Sequence, residues 1–271
     1  MPFFQVCENL SSFGFLLTIV SNILLIYFTM LKVKFVTRTY KKMIILYALF
    51  GIILVLIEII ARPFAHSYNR ALFTFSLNNW LVGYESLLWF LLALFVGFYN
   101  AMLAFLAVQF VFRYLALLQS KHVKKFEGIG VLGWLLYPVI SGANFSTVYG
   151  LLATPDEYTD DYMREELFTI YGLNISKTAR FILLPYGKDN SLRSGSLLCI
   201  LVDGVLLTSQ YVIIVSSGIQ MYLVMSEKNK TTFLHQSNLT KTTFRSAHLA
   251  NFGTYSIICA TRISIIVAAN A

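Results

Sequence analysis

Six blocks of about twenty apolar residues, nearly free of charge, constrain this chain more than anything else in it. None alternates with period two or carries a polar stripe broad enough to face water. A length of about 20 residues at about 1.5 Å each matches a hydrocarbon core about 30 Å thick. Composition agrees: 57% of residues are hydrophobic and 13% charged, against roughly 25% charged in a soluble domain. The expected fold class is all-α, a polytopic transmembrane helix bundle. Spans are expected at about 10–31, 43–60, 87–117, 129–152, 197–225 and 249–269.

The connectors sort by charge. Lys32, Lys34, Arg38, Lys41 and Lys42 follow the first block with no acid among them; Lys121, Lys124 and Lys125 follow the third, and Lys228, Lys230, Lys241 and Arg245 the fifth. With Arg113, these three connectors hold thirteen bases and two acids, whereas the alternate segments hold seven bases and nine acids. Lys and Arg collect in cytoplasmic loops. The asymmetry predicts an extracellular N-terminus, a large extracellular loop over 153–195 and a third cytoplasmic loop over 226–248. The first block lacks a basic n-region and a small-residue cleavage site, which disfavours a removable signal peptide. Pro138 is expected to kink the fourth span.

The same features narrow the function classes. A formal charge of +8 belongs to the inner loops rather than to a nucleic-acid surface, because no basic segment is interleaved with aromatics. His66, His122, His235 and His248 form no HxxxH or HExxH pair, and no G-x-S-x-G elbow is present. No enzyme, cofactor or metal site is expected. Cys7, Cys199 and Cys259 have no metal-ligand spacing; Cys7 and Cys199 could both lie outside, where a disulfide is permitted. A small transporter or channel is an alternative function, but it would call for related halves or paired helix breaks. Pro138 with Gly142 is the nearest approach to one.

Polar residues inside spans are costly and mark partners or cavities. Glu58 and Arg62 stand four apart, either as a local ion pair or as a ligand contact. Asp203 and Gln210 share a stripe of the fifth span, as a polar bundle face or as ligand contacts. In the third span Tyr99, Met102, Leu106, Gln109 and Arg113 fall on one helical face. That stripe covers about 21 Å at 1.5 Å per residue and joins an outer pocket to an inner arginine. By itself, an arginine snorkelling to the interface would also account for Arg113. The sequon Asn174-Ile175-Ser176 is a glycosylation candidate on the expected outer side; sequons at Asn229 and Asn238 fall on the inner side.

Three short stretches carry a resemblance. Glu58 with Arg62-Pro63 forms E-x-x-x-R-P at the close of span two, Phe112-Arg113-Tyr114 ends span three, and Pro155-Asp156-Glu157-Tyr158-Thr159 opens the second outer loop. In this order and placement they resemble the nematode seven-transmembrane chemoreceptors of the Str group, over about residues 10 to 225. The resemblance implies a rhodopsin-like seven-helix architecture and a chemosensory, olfactory-type G-protein-coupled receptor. Its partners would be a small volatile or pheromone-like ligand held between the helices, a heterotrimeric G protein and membrane lipid, with no nucleic acid. The implied location is the plasma membrane of sensory neurons, including cilia. Tyr99, Met102, Leu106, Asp203 and Gln210 become expected ligand contacts, and Arg113 with Tyr114 the expected coupling element. Phe112 stands where rhodopsin-like receptors have an acid, so no Asp–Arg lock forms within the motif.

The chain also departs from the family pattern. The last proline is Pro185, residues from about Asn238 onward match poorly, and Arg262 lies where an apolar residue belongs. About six spans are therefore expected, with a truncated or aberrant C-terminal end. A non-signalling receptor or pseudogene product is the corresponding alternative.

Overall fold

The computed structural model describes residues 2–31, 37–78, 80–81, 83–128 and 130–231. The last apolar stretch expected, 249–269, lies outside the described residues, as do Asn238, Cys259 and Arg262. Five long helices carry the apolar blocks: α1 (Pro2–Leu31), α2 (Arg38–Ala61), α3 (Glu85–Leu117), α4 (Gly130–Leu152) and, after the short α5 (Glu157–Tyr171), α6 (Ser194–Thr231). Each contains a segment long and apolar enough to cross a bilayer.

Three helix ends move by five residues or more relative to expectation, the first being α1, which begins at Pro2 rather than residue 10. α2 begins at Arg38 rather than residue 43, so Lys41 and Lys42 lie on helix, and α6 runs six residues past 225 to Thr231. Lys and Arg are good helix formers whose long stems reach back to the interface, so a basic residue need not end a span.

α3 is the central element, packed against α2, α4 and α6, while α1 packs on α2. Small residues set the α3–α4 crossing. A Cβ on Gly142 would lie 2.6 Å from the Gly97 carbonyl oxygen and 2.8 Å from Ala101 Cβ; one on Gly97 would lie 2.7 Å from Ser146 Cβ. Between lipid-embedded helices, such close backbone approach supplies the dispersion contact that hydrophobic burial cannot. Ser146 secures the crossing by donating to the Ala93 carbonyl at 2.8 Å. α4 remains helical through Pro138, which is buried.

The polar connectors fold into a cap. Strands β1 (Pro63–Tyr68) and β2 (Ala71–Ser76) form a hairpin over Asn69-Arg70, and β3 (Arg180–Leu183) pairs antiparallel with the other edge of β2. Asn69 takes the left-handed conformation, φ 49°, that a two-residue hairpin turn requires. Alternation then sorts the sheet's two faces. Phe73, Phe75, Ile182 and Leu184 pack with Met163 and Leu167 of α5, while Phe181 and Leu183 pack with Leu88, Leu92 and Tyr149 of the bundle. The segment 153–195, expected as a loop, is thus an ordered helix and strand. Its period-two run spans only a few residues, too short to stand out beside twenty-residue helices.

Candidate functional site

The family-like motifs have local structural roles. Arg62 caps α2 in the left-handed region, φ 43°, and its N–H donates to the Glu58 carbonyl at 2.8 Å. Pro63, unable to continue a helix, starts β1. The exposed end of α2 is closed by side chains from the next connector: Asn78 donates to the Ile60 carbonyl at 2.5 Å and Ser76 to the Ala61 carbonyl at 2.6 Å.

The acidic Tyr-Thr motif is a capping box. The Thr159 N–H donates to Asp156 Oδ1 at 2.9 Å, and the Asp156 N–H donates to Thr159 Oγ1 at 2.8 Å. Arg193, just ahead of α6, donates to Asp156 Oδ2 at 2.5 Å. Partial burial pulls the Asp156 carboxyl upward, but the Thr159 bonds and the Arg193 guanidinium outweigh it and hold the group below its ordinary value. Nearby, Arg180 grips both carboxylate oxygens of Asp160, at 2.8 and 2.5 Å, and also donates to the Ile175 and Thr178 carbonyls. Buried His66 stands 3.1 Å from the Tyr171 hydroxyl and 3.5 Å from Glu166. Asn174 is exposed, and its side chain accepts from the Ser176 N–H at 3.0 Å.

Within the bundle, the expected ligand residues divide between two faces. Met102 lies in the core cluster with Met43, Tyr47 and Leu54 of α2, and Tyr99 and Leu106 pack against that cluster. Asp203 and Gln210 face the α3–α4–α6 seam. Gln210 donates to Ser141 Oγ at 2.8 Å, and Asn100 of α3 donates to the same oxygen at 2.9 Å. Higher on α6, the Cys199 thiol donates to Asp203 Oδ2 at 3.4 Å, and Tyr149 of α4 hydrogen-bonds Thr74 of the cap at 2.9 Å. Cys199 is therefore a buried free thiol, and Cys7 lies where no side chains are described.

The polar accounting of this seam is one-sided. Asp203 Oδ1, Asn100 Oδ1 and Gln210 Oε1 are buried acceptors with no partner among the described residues. In lipid such groups are costly, and a donor that reached them would remove the cost. Asn100 and Ser141 were not anticipated as site residues. The available signal was an amide midway along the apolar third span, next to Tyr99.

At the opposite end of α3, buried Arg113 places its guanidinium 5.1 Å above the Tyr40 ring and 5.6 Å from that of Phe110. Its Nε and Nη2, and both amide atoms of Gln109 one turn away, have no partner among the described residues. Arg113 therefore does not snorkel to water; it is held by aromatic faces. Tyr114 is half-buried beside it.

Comparison with known proteins agrees with this architecture. The family model described as the serpentine type 7TM GPCR chemoreceptor Str matches residues 7–265. The match extends past both limits of the motif-based resemblance and takes in residues after Asn238. The chain is also 35% identical over 248 residues to the Caenorhabditis elegans G-protein coupled receptor str-33, covering 89% of this chain and 72% of that protein. No solved structure matches.

Proposed function

Because the chain belongs to the Str family of serpentine chemoreceptors, a multi-pass membrane family that takes small ligands and couples to G proteins, we propose that its ligand is a volatile or pheromone-like molecule carrying an O–H or N–H donor. The ligand sits in the outer half of the α3–α4–α6 seam, and its donor bonds Asp203. The unpartnered, buried Asp203 Oδ1 is the observation that carries this reading. Asn100 and Gln210 extend the acceptor lining inward; Tyr99, Met102 and Leu106 shape the wall toward α2 rather than bonding polar groups. Family membership displaces the transporter alternative.

In the proposed orientation the cap faces outside and the lysine-rich connectors face the cytoplasm of a sensory neuron's plasma membrane, ciliary membrane included. Exposed Asn174 then stands where glycan can be added. Arg113 and Tyr114 form the coupling element. In the resting state Tyr40 holds the guanidinium; in the signalling state the guanidinium turns to a G-protein segment.

The test is an agonist screen of volatile alcohols and amines on cells expressing the chain, read by intracellular calcium, followed by Asp203→Leu. Loss of a bond to a carboxylate, about 1.5–3 kcal/mol, raises the agonist EC50 roughly 10- to 150-fold at equal surface expression. An unchanged EC50 in Asp203→Leu refutes the Asp203 contact.

A further inference from the structure

A groove between the inner halves of α3, α4 and α6 takes no part in the features described so far. It encloses about 400 Å³, and its walls include Val108 and Val111 of α3, Gly133 and Tyr137 of α4, and Ile213 of α6, with Lys125 at its mouth. Gly133 has no atom within 4 Å of the place a Cβ would occupy, so the groove stands open there because a side chain is missing. From the start of α4 at Gly130 to Tyr137 the helix rises about 10 Å, less than the roughly 15 Å depth of one leaflet. The slot thus opens onto the hydrocarbon of one leaflet only.

A fixed basic turn overhangs it. Lys121, Lys124 and Lys125 lie exposed on the 3-10 turn Lys121–Phe126, and none has an ion-pair partner among the described residues. The turn is pinned by the Trp134 indole N–H, which donates to the Phe126 carbonyl at 3.1 Å, and by the Phe112–Phe126 edge contact at 5.3 Å. An apolar slot of leaflet depth beneath unpaired lysines at headgroup height is complementary to one class of molecule. A lipid chain fits the slot, and a negative headgroup fits the lysines.

We infer that this groove binds an anionic phospholipid, with one acyl chain along Val108, Gly133 and Ile213 and the headgroup phosphate on Lys125 and its neighbours. The inference rests on the membrane-spanning reading, and the cytoplasmic orientation supplies the leaflet in which such lipids concentrate. Zwitterionic lipid satisfies the slot but not the turn, so the site selects by headgroup charge.

The full chain, purified in detergent, is offered equal amounts of phosphatidylserine and phosphatidylcholine, and retained lipid is counted by native mass spectrometry. Both lipids reach the protein freely in micelles, so failure here does not implicate the proposed orientation, and ligand signalling does not enter the readout. Phosphatidylserine is expected to be retained preferentially. Lys124→Gln with Lys125→Gln lowers that preference by roughly 25-fold, about fivefold per lysine. Gly133→Leu fills open space and lowers retention of both lipids together. Equal retention of the two lipids by the unaltered chain overturns the proposal, and that comparison requires no variant to fold. A preference unmoved by the lysine substitutions, retention unmoved by Gly133→Leu, or displacement by soluble glycerophosphoserine at the same concentration as lipid overturns it as well.

Discussion

Ser141→Ala isolates the polar node at the centre of the bundle. Its Oγ is the acceptor for Asn100 Nδ2 at 2.9 Å and Gln210 Nε2 at 2.8 Å, and both amides are fully buried. The substitution removes one oxygen and strands two donors whose own oxygens already lack partners. Hydrogen bonds between membrane helices average about 0.6 kcal/mol, with a maximum near 1.7, so two lost bonds cost about 1–3 kcal/mol. The asymmetry of hydrogen bonding adds a second expectation: removing all partners together costs less than removing one. Asn100→Leu with Ser141→Ala and Gln210→Leu is therefore expected to recover most of the loss. Sodium dodecyl sulfate titration in mixed micelles, followed by circular dichroism, measures both variants. If Ser141→Ala falls within about 0.3 kcal/mol of the unaltered chain, or the triple variant is the less stable of the two, the node does not hold α3, α4 and α6 together.

Gly142→Ala drives a Cβ to within 2.6 Å of the Gly97 carbonyl and should cost about 1–3 kcal/mol in the same titration; Gly204→Ala, which meets nothing within 4 Å, should be neutral or slightly stabilising. The Asp156 carboxyl titrates below its ordinary 3.8, so its contribution to the cap is complete above that value and disappears as pH falls through the lower folded one. Amide exchange across α5, corrected for intrinsic pH dependence, should therefore accelerate below about pH 4, and Asp156→Asn should abolish that acid-dependent step. Arg113→Ala should remove agonist-evoked nucleotide exchange on the G protein while leaving agonist affinity within about twofold, a change too small to reflect a lost ligand contact. Persistence of exchange would remove Arg113 from the coupling role.

The long helices were legible because lipid imposes a coarse rule, a block of apolar residues of fixed length, that survives almost any choice among Leu, Ile, Val and Phe. What lies between the helices was not. The strands are six, six and four residues long, and β2 and β3 are joined by a pairing across about a hundred residues that no local pattern announces. Asn78 and Ser76 are two polar residues among many in a connector, and only the structure shows that they close the end of α2. The α3 stripe from Tyr99 to Arg113 was legible as a face, but which neighbour it met was not. Met102 turns to α2, and it was Asn100, one residue and about 100° around the helix from Tyr99, that meets α4 and α6. Helical spacing fixes angles within one helix and leaves the choice of partner helix to packing.

The cap has a mechanical consequence. The Arg62 carbonyl accepts from Leu77, the Ala153 carbonyl accepts from Ile182, Trp89 donates to the Arg180 carbonyl, and Arg193 donates to Asp156. Through these links the ends of α2, α3, α4 and α6 nearest the sheet hang from one plate. Helices suspended in this way swing rather than slide. Since Arg113 lies 28 residues along α3 from Glu85, or about 42 Å, a tilt of about 7° at the plate carries it through about 5 Å, close to the rise of one helical turn.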